Sequence, residues 1–293
     1  MLYLIANEHA GSGAGAEILP RIRAMLEEAG IPFRADVTEG PGHAVVLADR
    51  AVSSGTTEMA CLGGDGTIYE VINGLAGRFV TLYFIPCGTG NDFVKVLGLP
   101  KDPVEALKAQ LSGSPHRLDV GHLNDRYFMN VSGAGFDVEV LRQADRFKKL
   151  GKGLLPYLFG IFAALKHFRP LPVEILLDEK TEKKEITIFS VGNGQYIGGG
   201  MKAVPHARPD DGLLDVVVAD RFSRPAILKM LTRFISGKHT TLPGISEFRC
   251  RSITVRCPGM VVEADGELIP MDEARYEILP GALEVRLPGE IIV

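Results

Sequence analysis

The sequence predicts two domains of different class, an N-terminal α/β domain with a mostly parallel sheet and a second domain built as an antiparallel β-sandwich. Up to about residue 117 short apolar runs alternate with amphipathic segments, and such alternation produces a parallel sheet covered by helices. After residue 116 the chain turns to short β-rich runs, the pattern of a sandwich or barrel. A length of 293 residues and a mass of 31.7 kDa suit two cores better than one. The boundary is expected near residue 118, giving domains 1–118 and 119–293.

The elements follow in order. In the first domain strands are expected at 2–6, 33–37, 58–62 and 80–85, with helices at 16–29 and 43–53, after the third strand and after the fourth. The third helix is the clearest, because Ile68, Val71, Ile72 and Leu75 recur at i, i+3, i+4 and i+7, one face of a helix. In the second domain strands are expected at 117–122, 126–131, 173–177, 185–192, 213–219, 252–255, 261–264 and 283–287. Helical insertions are expected at 138–149 and 154–168. The second of these is apolar nearly all round, which favours a buried helix over one that contacts lipid.

Composition narrows the function. A net charge of −4 and a pI near 6.0 give no broad attraction for nucleic acid, which is not expected as a partner. The four cysteines, Cys61, Cys87, Cys250 and Cys257, form no C-x-x-C pair, so neither zinc ligation nor a disulfide framework is expected. The first residues, MLYLIANEHAGSG, lack the basic start of a signal peptide. The longest apolar run, 153–165, is well short of the roughly 20 residues that span a bilayer. A cytoplasmic protein touching membrane only peripherally is expected. The oligomeric state stays open, a homodimer included.

Three glycine-rich junctions in the first half carry chemistry. LGGDGTIYEVINGL at 62–75 places Gly63, Gly64, Asp65, Gly66 and Thr67 where a strand ends and a helix begins. The first turn of a helix has unpaired N–H groups and the positive end of its dipole, which favour phosphate. The plain alternative is a turn with Thr67 and Glu70 forming a capping box. A second junction, ANEHAGSGAGAE, is a loose fit to the dinucleotide fingerprint, since four residues separate strand from first glycine. A third, IPCGTGNDF, offers Gly88, Thr89 and Gly90 before Asn91 and Asp92. Ligands of open α/β sheets bind beyond the carboxyl ends of the strands, so the three loops are expected to converge. None is a Walker motif, which leaves backbone amides and threonine hydroxyls as the phosphate donors.

Taken together these segments resemble the diacylglycerol kinase-like lipid kinases, the family of bacterial diacylglycerol kinases and sphingosine kinases within the NAD kinase superfamily. The resemblance rests on GGDGT followed by EVINGL, on GTGNDF, on NVSGAGFD at 130–137, on VGNGQYIGGGMKAVPHARPDDGLLDVVV at 191–218, and on EADGE at 263–267. GGDGT alone fixes only the superfamily; the order of all of them is far more specific. Two departures stand out, Glu8 in place of the usual proline and Tyr69 where many members have asparagine.

The resemblance implies an ATP site formed by Asn7, Glu8, His9, Ala10, Gly11, Thr38, Gly63, Gly64, Asp65, Gly66, Thr67, Ile68, Tyr69 and Thr89, with Asp92 helping Asp65 to order Mg²⁺ and water. It implies a structural Mg²⁺ at Asp211 with Arg208 and Leu213, although Asp-Gly is also a common turn. It implies a last strand or tail that returns to the first domain. It implies a general base at Asp265 or Glu267, with a slight preference for Asp265; on an extended strand the two would face one side. A hairpin turn at 264–266 is the alternative reading. The activity implied is transfer of the γ-phosphoryl group of ATP to a lipid hydroxyl at a membrane surface. A soluble small-molecule kinase of the NAD kinase type, or a nucleotide-binding regulator without activity, are the alternatives.

Overall fold

A computed structural model describes residues 1–147, 155–178, 180–289 and 291. The chain divides into two compact units, Met1–Val120 with the C-terminal stretch from Pro280, and Gly121–Leu279.

In the first unit strands β1 (Leu2–Ala6), β2 (Phe33–Val37), β3 (Glu58–Gly63) and β4 (Thr81–Pro86) are parallel in the order β2-β1-β3-β4. β1, β3 and β4 are buried almost throughout, as strands covered on both faces must be. β2 is the half-exposed edge. The helices are α1 (Ala10–Glu28), α2 (His43–Ser53), α3 (Asp65–Leu75), α4 (Asp92–Val96) and α5 (Pro103–Leu111). Leu19, Ile22 and Leu26 of α1 and Leu107 of α5 pack with Leu2, Leu4, Leu62 and Ile85 of the sheet. Within the span of α1, Gly11, Ser12 and Gly13 have φ of 62°, 62° and 97°, so regular helix starts only after them, near its expected start.

Two strands, β5 (Ser114–Leu123) and β15 (Glu267–Leu287), run across the division of the chain. Glu284 and Val285 of β15 pair in parallel with Thr81 and Leu82 of β4. Further along β4 a side chain completes the edge. Gln110 of α5, fully buried, accepts from the Phe84 N–H at 2.8 Å and donates to the Phe84 carbonyl at 2.7 Å and to Ala106 at 2.9 Å.

The second unit is antiparallel. Its strands are β6 (Arg126–Phe128), β7 (Val131–Gly135), β8 (Leu171–Leu177), β9 (Lys180–Gly192), β10 (Tyr196–Ile197), β11 (Met201–Lys202), β12 (Leu214–Asp220), β13 (Ile245–Cys250) and β14 (Ser252–Ala264). The main order is β13-β12-β9-β7-β14-β15. β9 pairs β8 through its first half and β7 through its second, and β14 does the same through Thr254–Arg256 and Val262–Ala264. That double fork folds the strands into sandwich layers. Helices α6 (Phe136–Phe147), α7 (Leu155–His167) and α8 (Arg224–Phe234) cover one side, where Ile161, Leu165, Ile227 and Met230 meet Val131, Ile188 and Val217.

Three expectations change. The strands expected at 252–255 and 261–264 are one strand, because Cys257-Pro258-Gly259, which reads as a breaker, sits in a register shift between Arg256 and Met260; bulges accommodate proline and glycine in this way. The helix expected at 154–168 is not apolar all round in its packing: Ile161, Ala164 and Leu165 are buried, while Phe159 and Phe162 are exposed. Residue 154, and 148 and 149 of the helix before it, lie outside the described residues. β13 and α8 were not foreseen, although Ser223, Pro225 and the spacing of Ile227, Met230 and Phe234 mark a helix start and an apolar face.

Replacing Gln110 with leucine keeps the volume but strands a buried N–H and a buried carbonyl of Phe84. Gln110→Leu is expected to lower unfolding free energy by about 2–5 kcal/mol, measured by urea denaturation; a loss below about 0.5 kcal/mol would show that the edge is completed otherwise.

Candidate functional site

The three glycine loops of the first unit follow β1, β3 and β4 at the carboxyl ends of the parallel strands. Backbone and side-chain bonds knit them together. Asn7 N–H donates to Leu62 and Cys87 N–H donates to Gly63, both at 2.9 Å; Asn7 Nδ2 donates to Thr67 Oγ1 at 3.0 Å. The closest approach is between the second and third loops. A Cβ on Gly88 would lie 2.6 Å from Gly64 Cα, and one on Gly64 would lie 2.9 Å from Gly88 Cα. A Cβ on Gly11 would lie 2.3 Å from the Cys87 carbonyl oxygen. Side chains cannot occupy such positions, so glycine here is a requirement of backbone contact.

α3 starts at Asp65 with Gly64 as its N-cap, and no side chain caps it. The capping box considered for Thr67 and Glu70 does not form. Thr67 lies inside the helix and accepts from Asn7, while Glu70 accepts from Gly42 and Ala44 at 2.8 and 3.0 Å, at the start of α2. The helix terminus, with the positive end of its dipole, thus has no side-chain cap.

Asp65 Oδ1 accepts from Asp92 N–H at 2.7 Å. Burial, and then the neighbouring Asp92 carboxylate, push the Asp65 carboxyl up to about 6, against backbone hydrogen bonds from Asp92 and Phe93 and the charge of Lys95. A Cβ on Gly90 would lie 2.7 Å from Asp65 Oδ2 and 3.7 Å from Asp92 Oδ2, so both carboxylates border one small space. Lys95 Nζ binds Asp92 Oδ1 at 2.8 Å. Two hard oxygen donors beside a glycine loop would fit Mg²⁺, which takes one or two carboxylates together with substrate phosphates. Lys95 was not among the expected residues, because the helix expected after the fourth strand had no fixed bounds and its pairing with Asp92 depends on α4 starting at Asp92.

Of the remaining residues expected to bind nucleotide, Glu8, His9 and Ala10 lie on the first loop, and Gly66 is exposed in the first turn of α3. Thr89 is exposed on the third loop. Thr38 follows β2, its N–H bonded to the Ala6 carbonyl at 2.9 Å. The side chains of Ile68 and Tyr69 are buried within α3, so these two would offer a ligand backbone rather than side chain.

In the second unit Asp265 and Gly266 form a two-residue turn between β14 and β15, with φ of 48° and 93° and Ala264 opposite Glu267. Two positive φ values are those of the tight hairpin turn that matches strand twist. The expectation that Asp265 and Glu267 share one side of an extended strand is therefore corrected: Asp265 is in the turn. Its carboxylate accepts from Met129, Asn130 and Val131 N–H at 2.7, 2.9 and 3.2 Å. Glu267 is exposed at the start of β15. Buried Glu263 accepts from Gly266 N–H at 3.0 Å.

Arg208, Asp211 and Leu213 lie together between β11 and β12. Asp211 Oδ1 accepts from Leu213 N–H at 3.1 Å, and its other oxygen pairs with Arg249 of β13. Arg249 also binds Asp215 at 3.3 Å, and Arg208 pairs with Asp210. Arg249 would share the Asp211 carboxylate with any Mg²⁺ bound there, a partner that no local sequence signal announces. Among the described residues no group of three or more acidic, cysteine or histidine side chains is placed to hold a metal.

Asp137 stands in the first turn of α6, close to Gly133 of β7. Oδ1 accepts from Val138 N–H at 2.9 Å, Oδ2 has no hydrogen-bond partner among the described residues, and burial pushes the carboxyl from 3.8 up to about 7. A carboxyl whose pKa is raised by folding holds its proton in the native state while the unfolded chain has lost it, so stability falls as pH rises from about 4 to about 7 and levels off above. Asp137→Asn is expected to remove much of the decline in melting temperature between about pH 4 and about pH 7; an unchanged pH profile would show that Asp137 is ionised throughout.

Residues 1–123 match the diacylglycerol kinase catalytic domain, and residues 130–287 match the YegS C-terminal NAD kinase beta sandwich-like domain. A diacylglycerol kinase of Mycobacterium tuberculosis is 32% identical over 292 residues, covering 97% of this chain and 94% of its own. One of Staphylococcus saprophyticus is 30% identical, covering 98% and 95%. The crystal structure of a diacylglycerol kinase from Bacillus anthracis superposes with a TM-score of 0.76 at 25% identity, covering 99% of this chain and 98% of that one. With both domain types in order and relatives matched end to end, the chain belongs to the bacterial diacylglycerol kinase family.

Proposed function

We propose that the protein is an ATP-dependent lipid kinase that phosphorylates a hydroxyl of diacylglycerol or a related lipid, giving phosphatidic acid or an analogous phospholipid. The observation that carries this reading is the Asp65–Asp92 carboxylate pair set among three interlocked glycine loops, in a chain whose relatives are diacylglycerol kinases. Phosphoryl transfer asks the protein mainly for positioning and charge neutralisation. Loop amides and the uncapped start of α3 supply donors for the phosphates. Asp65 and Asp92 would hold Mg²⁺, which would neutralise the charge of the transferring group. Lys95 keeps Asp92 in place.

For the base we assign Glu267 in preference to Asp265. A general base needs a lone pair free to take the hydroxyl proton. Asp265 commits both oxygens of its carboxylate to three backbone N–H groups; its part is to pin the turn that carries Glu267. Glu267 is exposed and, among the described residues, held by no side-chain bond.

Transfer of labelled phosphate from ATP to a panel of lipids in mixed micelles tests the function directly, and phosphorylation of NAD with no transfer to lipid would contradict it. Glu267→Gln is expected to cut turnover roughly 10²-fold or more at unchanged melting temperature. Asp265→Asn is expected to lower melting temperature along with activity. Full activity in Glu267→Gln would move the base elsewhere.

A further inference from the structure

The three glycine junctions of the first unit are short of positive charge. Residues 7–16, 62–70 and 86–95 contain Glu8, Asp65, Glu70 and Asp92 but a single lysine or arginine, Lys95. Backbone amides and the start of α3 supply only partial charges, so Lys95 is the one permanent cation of these junctions. It is already engaged. Lys95 stands one turn after Asp92 in α4, and its Nζ lies 2.8 Å from Asp92 Oδ1. The lysine side chain is 40% exposed and the aspartate side chain 8%. Water therefore compensates little of the carboxylate charge, and the ammonium supplies the compensation. The pair cannot drift, because Asp65 Oδ1 accepts from Asp92 N–H at 2.7 Å and fixes the start of α4.

The ammonium takes one side of Asp92 and leaves the other to the acid pair. Asp92 Oδ2 borders, with Asp65 Oδ2, the small space beside Gly90. A divalent cation in that space would meet Lys95 across a single carboxyl group, without having to displace it. Like charges so close repel, and in a half-buried setting solvent and salt screen them only in part. Two ionised carboxylates alone would attract a bare divalent cation. With Lys95 beside them the three groups carry one net negative charge, and the hold on a bare cation weakens. Phosphates that arrive with the metal supply both the missing charge and the missing ligands.

We propose that Lys95 makes metal binding conditional on nucleotide, by keeping the Asp65–Asp92 pair too weakly negative to retain Mg²⁺ until phosphates come with it. This role rests on the kinase reading of the pair and deepens it: Lys95 acts through Asp92, touches no reacting atom, and keeps the nucleotide-free site clear of a trapped cation.

The test is calorimetric titration of the full chain with MgCl₂ in the absence of nucleotide, and separately with ATP in the presence of Mg²⁺. Without nucleotide, wild type and Asp65→Asn are expected to give the same Mg²⁺ isotherm, since any metal held elsewhere is common to both. Lys95→Met is expected to gain a Mg²⁺ site, about tenfold or more tighter than wild type offers there, and to lose it again when Asp65→Asn is added. Lys95→Gln, equally neutral, is expected to do the same and serves if the methionine variant fails to fold. Lys95→Arg keeps the charge and is expected to give the wild-type isotherm. Lys108→Met, which removes a lysine from an exposed pair with Glu105 on α5, is expected to do so as well. MgCl₂ is expected to raise the melting temperature of the two neutral Lys95 variants further than that of wild type. Mg²⁺ binding at the pair in nucleotide-free wild type, or equal isotherms for wild type and both neutral variants, would overturn the proposal while MgATP binding by wild type left the kinase reading standing. Failure of wild type to bind MgATP would overturn both.

Discussion

The first unit depends on a contact between two backbones. Gly64 and Gly88 approach so closely that neither tolerates a Cβ, and everything proposed for the nucleotide follows from that approach. It brings the end of β3 against the end of β4, places the uncapped start of α3 beside the third loop, and lets Asp65 reach the amide of Asp92. Burial of Asp65 next to Asp92 is a strained electrostatic arrangement on its own, since like charges raise one another's proton affinity. A cation between the two carboxylates would relieve it. The arrangement is unfavourable for stability alone and is understandable as a site kept ready for charged ligands.

The second unit uses the same economy of residues for a different purpose. A two-residue turn at Asp265-Gly266 would by itself be a mobile hairpin end. Three N–H donors from Met129, Asn130 and Val131 fix the aspartate, and Glu263 fixes the glycine. Of the two alternatives read for this segment, the hairpin turn is the one the structure shows, and its aspartate holds that turn. Neighbouring segments are locked similarly, with Asn193 Nδ2 donating to Met129 and the amides of Asn193 and Gly194 donating to Asn130.

What could be read in the sequence was local. The parallel strands of the first unit are continuous apolar runs, and α3 shows its apolar face in Ile68, Val71, Ile72 and Leu75; each signal sits within a few residues. The family could be read because its motifs are short and ordered. Partners brought together by the fold could not. Arg249 reaches Asp211 from 38 residues away, Gln110 completes β4 from a helix, and Glu70 caps α2 instead of its own helix. The preference for Asp265 failed to anticipate its left-handed turn, because an Asp-Gly pair is compatible with either a strand end or a turn until pairing across β14 and β15 is known.

The central claim is that the interlocked glycine loops hold the triphosphate. It is tested most directly by calorimetric titration of Gly88→Ala with MgATP, beside Gly40→Ala, whose added Cβ meets nothing within 4 Å. The account predicts that Gly40→Ala binds as wild type and that Gly88→Ala, while still folded, loses nucleotide binding because its Cβ forces the second and third loops apart. Undiminished MgATP affinity in a folded Gly88→Ala would contradict it.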